Sequence, residues 1–160
     1  MVKVVGIDPG LAGTGIGVVH GDGLTIAGYS FGSIETDKKE TVPARLHHIY
    51  SKVMDFLVSQ KPELVVIEDI FTIEKFPGSG ILLGKVSGVL LVAAFKAGAR
   101  VEEISVREAK KLVSGSGGAD KYQVERSVRN LLNHQDKIRP FHASDALALA
   151  LAGYYRCFRR

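Results

Sequence analysis

Four side chains stand where a folded chain could bring them to one point. Asp8 ends the apolar run Val-Lys-Val-Val-Gly-Ile, and Glu68 ends the apolar run Leu-Val-Val-Ile. His142 and Asp145 lie three residues apart at the head of a stretch rich in alanine and leucine. Two strand ends and one helix face can converge, because residues three apart share a helix face. Three carboxylates and an imidazole form a donor set for a divalent cation. With such a site, a basic chain points to an enzyme acting on a polyanion, and phosphodiester hydrolysis is the natural reaction. Two cations would permit in-line displacement, one activating water and the other stabilising the leaving oxygen.

Each residue also has a plainer reading. Asp8 precedes Pro9-Gly10 and could be a turn carboxylate bonded to nearby backbone amides. Glu68 follows a buried strand, where a carboxylate is costly unless paired or metal-bound, so a strand-end ion pair competes. Asp69 is the weaker candidate, because strand side chains alternate and it faces the other way. His142 and Asp145 could cap a first helical turn. The helix dipole explains the acid there, but it disfavours an imidazolium. A neutral imidazole would be a good metal ligand, which predicts cleavage rising with pH near the ordinary histidine pKa of about 6.5.

A second group concerns phosphates. Lys110, Lys111 and Lys121 flank Ser114-Gly115-Ser116-Gly117-Gly118, a glycine-rich loop without the Gly-Lys-Ser/Thr ending of an ATP-binding loop; taken alone it reads as a flexible surface loop beside solvated lysines. Phe71 and Phe76 lie just past Glu68 with Lys75 between them. An aromatic beside a metal site can stack on an unpaired base. More often it closes a core. His47, His48, His134 and Cys157 read as surface or packing residues, and Arg156, Arg159 and Arg160 as a solvated basic tail.

The elements that must position these residues follow from pattern. Strands are expected at Val2–Asp8, Gly13–His20, Leu24–Gly32, Leu64–Ile67 and Val101–Val106. Gly21-Asp22-Gly23 supplies a hairpin turn. Helices are expected at Val42–Gln60, Gly78–Gly98, Arg107–Val113, Lys121–Leu132 and about Ala143–Phe158, with Asp120 able to cap the fourth. Three strands followed by helix–strand alternation predict an α/β fold with a five-stranded mixed sheet flanked by helices on both faces, close to a ribonuclease-H-like layout.

The 160 residues suit one domain, 1–160, with a real core. A net charge of +4 leans toward anionic partners. One cysteine excludes an internal disulfide and a cysteine-based zinc cage. The stretch from Ile81 to Ala97 is broken by Lys85, Ser87 and Lys96, and it reads as a buried helix and not a membrane span. No signal peptide is visible, so the expected location is the cytoplasm.

In order along the chain, Gly6-Ile7-Asp8-Pro9-Gly10, Val66-Ile67-Glu68-Asp69-Ile70-Phe71, Leu83-Gly84-Lys85-Val86-Ser87-Gly88-Val89, Lys110 with Gly115 to Val124, and Ser144-Asp145-Ala146-Leu147-Ala148 resemble the bacterial RuvC Holliday-junction resolvases. The resemblance implies a ribonuclease-H-like fold and a homodimer whose subunits each nick one of two opposed strands of a four-way DNA junction, using magnesium or manganese, with two ions per site during catalysis. It implies metal ligation by Asp8, Glu68 and Asp145, with His142 where many members carry a further aspartate. It implies stacking by Phe71 at the opened crossover and Lys110 and Lys121 near the scissile phosphate; Lys75, between Phe71 and Phe76, is a further candidate for DNA contact. The helix at Gly78–Gly98 would form the dimer interface, and a branch-migration helicase complex is an implied partner. Thr72-Ile73-Glu74-Lys75 departs from the usual pattern, which bears on sequence preference. The rivals are a nuclease of this fold acting on structured RNA and a junction-binding module without cleavage. A sugar or acetate kinase would need a longer, two-domain chain.

Overall fold

Alternation sorts the strand residues onto two faces, and each face collects its own helices. The computed structural model describes residues 1–70 and 77–158. Its strands are β1 (Val2–Asp8), β2 (Gly13–Asp22), β3 (Thr25–Glu35), β4 (Leu64–Asp69) and β5 (Arg100–Ser105). They form one mixed sheet in the order β3-β2-β1-β4-β5. The first three run antiparallel, and β4 and β5 join β1 in parallel. The hairpin between β2 and β3 turns at Gly23, whose φ of 57° suits glycine. Pairing carries β2 to Asp22 and β3 to Glu35, beyond the apolar runs, because ladder bonds need backbone and not apolar side chains.

One face presents Val5, Ile7, Ile16, Val18, Val65 and Ile67 to helices α1 (Val42–Gln60) and α2 (Pro77–Lys96). Thr41 caps α1 through its hydroxyl, and Lys61 in the left-handed region ends it. The other face presents Val4, Val19, Leu64, Val66 and Ile104 to α3 (Val106–Ser114), α4 (Lys121–Leu132) and α5 (Phe141–Cys157). Asp120 and Gln123 close a reciprocal capping box on α4.

The helix at 77–96 is not the buried helix expected from its composition. Val86, Leu90, Ala93 and Ala94 are buried, but Ile81, Val92 and Phe95 are 63%, 52% and 80% exposed. Its mean hydropathy of 1.8 over 18 residues is high enough for a membrane span, yet only one face packs, against the sheet and α1.

Three glycines decide where α5 sits. Gly6, Gly15 and Gly17 lie on the α5 face, paired as Gly6↔Gly17 and Asp8↔Gly15. A Cβ at Gly6 would collide with the Ala146 carbonyl, and one at Gly15 with the His142 carbonyl. One at Gly17 would lie 2.5 Å from the Leu147 nitrogen. The helix therefore rests directly on strand backbone, and its first turn lies beside the end of β1. The loop before it is held by Glu125, which accepts from the Ile138 amide at 2.9 Å and lies 3.8 Å from the Arg139 guanidinium. Arg129 Nε is 2.8 Å from the same carboxylate, close enough for an ion pair but off-axis for a hydrogen bond.

Candidate metal centre

Asp8, on the last residue of β1, points to the α5 face with only 7% of its surface exposed. Glu68, at the corresponding end of parallel β4, shares that face with Leu64 and Val66, which belong to the same cluster. His142 and Asp145 come from the first turns of α5. All four line one cavity of about 260 Å³, together with Lys110 of α3, Lys121 of α4 and an apolar wall of Val106, Ala109, Val124, Ala148 and Leu149. The convergence expected of two strand ends and a helix face is thus the observed arrangement. Asp69 does not line this cavity and faces α2.

The plainer readings fare worse. The N-terminus of α5 follows Pro140 and has no side-chain cap, so neither His142 nor Asp145 serves as one. Its first two amides stay available to an anion, while that of Ala143 donates to the Pro140 carbonyl at 3.0 Å. Asp8 and Glu68 make no ion pair with a lysine or arginine, among the described residues.

His142 donates from Nδ1 to Asp8 Oδ2 at 2.6 Å. A carboxylate can only accept, so in the neutral ring this contact fixes the proton on Nδ1 and leaves the lone pair on Nε2. That bond to Asp8, with the nearby Asp145 and Glu35, lifts the His142 pKa above its ordinary value despite burial. The rise of cleavage with pH expected of a neutral His142 is therefore displaced above the ordinary histidine value in the metal-free site.

The acids are perturbed in the same direction. Burial first, then Asp8 and Asp145, push Glu68 up to about 8 against the pull of Lys110. Burial and Asp8 push Asp145 up to about 6, against His142 and Lys110. These groups carry more negative charge than their surroundings compensate, and a bound cation removes that penalty. Among the described residues no three of these side chains are placed to hold a metal ion as they stand. They are gathered around one space, and their oxygen-rich donor set fits a hard divalent ion with one nitrogen ligand.

The linkage has a definite sign. Between pH 4.5, the ordinary Glu value, and about 8, folded Glu68 binds more protons than the unfolded chain. His142, also raised, adds stability at low pH that is lost as pH rises through its folded pKa. Metal-free protein is therefore expected to lose stability from pH 5 to 8, by an amount on the order of a few kcal/mol. Magnesium or manganese should restore it, most strongly at pH 8. Thermal unfolding in chelator and in metal at several pH values checks this, and stability that is flat or rising in chelator would contradict it.

The glycine-rich loop does not reach the cavity. Gly115, with φ 80°, ends α3, and Gly117 packs against Arg107 beside a neighbouring cavity. Lys111 also stays outside. Phe71, Lys75 and Phe76 lie outside the described residues. Among the described surroundings, sequence reasoning missed Glu35, which acts on His142 from the end of β3, and the aromatic pair Tyr122–Phe141 beside Lys121. The only signal for that pair was Arg-Pro-Phe immediately before His142.

Residues 4–153 match the family model for the crossover junction endodeoxyribonuclease RuvC. The chain belongs to the RuvC family. The RuvC of Erythrobacter litoralis is 36% identical over 152 residues, covering 95% of this chain and 92% of that one. The RuvC of Mannheimia succiniciproducens is 38% identical over 151 residues, covering 94% and 74%. The structure of Thermus thermophilus RuvC in complex with a Holliday junction substrate superposes with a TM-score of 0.90 at 32% identity, covering 99% of this chain and 96% of that one. The ribonuclease-H-like layout expected of a RuvC is thus the fold observed, with the cavity at the carboxyl ends of β1 and β4, as open α/β sheets place their sites.

Proposed function

We propose that this chain is a metal-dependent endodeoxyribonuclease that resolves four-way DNA junctions by nicking two opposed strands, with 1–160 as one nuclease domain and Asp8, Glu68, His142 and Asp145 as its catalytic metal ligands. The observation that carries the reading is the convergence of these four residues, with Lys110 and Lys121, on one cavity. A relative of the same family has been captured with a Holliday junction substrate.

Magnesium or manganese, as one or two ions, would supply Lewis acidity at the phosphate and a water of lowered pKa. The protein's own groups do the rest. Asp8, buried at the strand end, lines the cavity and orients His142 through Nδ1. Glu68 and Asp145 would hold a cation only in their deprotonated forms, so binding would strengthen with pH. Lys110 and Lys121 balance the scissile phosphate as charge develops there. The uncapped α5 amides add positive potential on the same side. The apolar wall limits water to that needed for attack. In-line attack leaves a 5′-phosphate and a 3′-hydroxyl. We assign Phe71 and Lys75 to DNA contact.

The partner reading rests on α2. Ile81, Val92 and Phe95 follow helical spacing on its outer face, where Gly84 and Gly88 are also exposed. Glycines let a second helix approach closely, and an exposed apolar stripe of this kind marks an interface. The chain acts as a homodimer that places two cavities against one junction, in the cytoplasm, with a branch-migration helicase complex delivering the substrate. Val92→Glu with Phe95→Glu is expected to convert dimer to monomer and to uncouple the paired nicks while leaving the fold intact. Sedimentation and nick mapping check this, and an unchanged dimer would move the interface elsewhere.

Competition among a labelled four-way DNA junction, a linear duplex and a structured RNA tests the substrate reading. Junction cleavage at least a hundredfold faster than either rival is expected. Preferred RNA cleavage would make the chain an RNA nuclease of this fold, and tight junction binding without cleavage would make it a binding module.

A further inference from the structure

Beside the cavity the chain builds an aromatic and cationic cluster that the metal chemistry does not use. Tyr122, the second residue of α4, is 56% exposed. Its ring meets that of Phe141 edge-on, with centroids 5.2 Å apart and planes at 88°. Phe141 in turn carries two cations: Arg139, 4.1 Å from its ring centre, and Lys121 Nζ at 4.8 Å. Lys121 Nζ also lies 5.4 Å from the Tyr122 ring centre. Lys121 itself lines the cavity.

The arrangement is braced from below. Arg139 is held near Glu125 and donates to the Ile138 carbonyl at 2.7 Å. Asp120 is occupied in accepting the Tyr122 and Gln123 amides at 2.8 and 2.9 Å. The cluster therefore presents a large exposed ring, fixed by neighbours and bordered by two cations. An aromatic of this exposure is unfavourable in water, and a rigid one loses little entropy when something covers it. Cation–aromatic neighbours suit a ligand that is both planar and anionic.

We propose that Tyr122 is a base-stacking residue: its ring takes an unpaired nucleobase of the DNA strand entering the cavity, with Lys121 and Arg139 on the adjoining phosphates. The proposal rests on the junction-nuclease reading and adds a contact on α4 to it. Stacking on Tyr122 places the strand on the Lys121 side of the carboxylates, so the scissile phosphate enters from a fixed direction. Phe141 supports the ring from below.

The chain contains no tryptophan, which makes a direct test possible. In Tyr122→Trp combined with Asp8→Asn, a single indole reports on the site while cleavage is suppressed. Adding a four-way junction should quench its emission strongly, and a fully paired duplex should do so weakly. Tyr122→Ala should weaken junction binding about tenfold without changing the slope of affinity against salt, and Tyr122→Phe should bind like wild type. Lys121→Ala should instead reduce that slope by about one. Junction binding with unquenched emission and unchanged Tyr122→Ala affinity would overturn this proposal alone. Absence of junction binding by wild type would overturn the functional reading and this proposal with it. Unfolding curves that match wild type exclude a folding defect as the cause of any loss.

Discussion

Asp8→Asn is expected to lower junction cleavage by on the order of a thousandfold or more while leaving junction affinity equal or improved. The substitution keeps shape and keeps an oxygen acceptor for His142 Nδ1, so the 2.6 Å contact and the packing around it survive. What it removes is a cavity charge that, after burial, raises Glu68 and Asp145 and that also raises His142. Without that charge the remaining donors hold a cation less tightly, and the polarised water and phosphate are lost with it. A thousandfold corresponds to about 4 kcal/mol of transition-state stabilisation. DNA approaching the site meets one fewer negative charge, which favours binding. Single-turnover cleavage measured beside equilibrium binding separates the two effects. Equal losses in both would give Asp8 a structural role instead, and undiminished cleavage would remove it from the site.

The second large effect is expected far from any polar chemistry. Gly15→Ala adds one methyl group where the strand backbone meets the His142 carbonyl. Neither side can yield cheaply: β2 is paired on both edges, and α5 is buried along most of its length. Overpacking of this kind costs about 1–3 kcal/mol and more where backbone opposes backbone. The helix can respond by lifting at its first turn, which carries His142 and Asp145 away from Asp8. Gly15→Ala should therefore lower both the unfolding midpoint and the cleavage rate, with the rate falling further than the population of folded protein accounts for. Gly32→Ala, at a position where an added Cβ meets nothing within 4 Å, serves as the control and should change neither by much. A Gly15→Ala protein of wild-type stability and rate would mean that α5 is free to slide on the sheet.

These glycines also show where sequence reading reached its limit. The acids were legible because a carboxylate after Val-Val-Ile or Val-Gly-Ile has few uses in a buried strand. The His142–Asp145 spacing was legible because three residues make nearly one helical turn. Element order was legible from the change between two-residue and helical periodicity, and the bounds of Val42–Gln60 and Lys121–Leu132 match the structure as read. What could not be read was distance across the fold. Nothing local to Gly6, Gly15 or Gly17 announces that a helix presses on them, since each fits a strand or a turn equally well. The exposed stripe on α2 was hidden for a related reason: its apolar residues run almost all the way round, so composition alone could not separate a buried face from an exposed one. The glycine-rich stretch Gly115–Gly118 allowed a phosphate cradle or a surface loop, and in the fold it is the loop, ending α3 and leading into the cap of α4. The state of His142 was beyond sequence because its pKa is raised first by its hydrogen bond to Asp8, 134 residues away.

The most direct test of the account is cleavage of a mobile four-way DNA junction, labelled on each strand, by wild type and Asp8→Asn in magnesium, in manganese and in chelator. Paired, symmetric nicks on opposed strands are predicted with either metal, absent with chelator and absent with Asp8→Asn. Nicks that persist in chelator or with Asp8→Asn, or a junction bound tightly and left uncut in both metals, would contradict it.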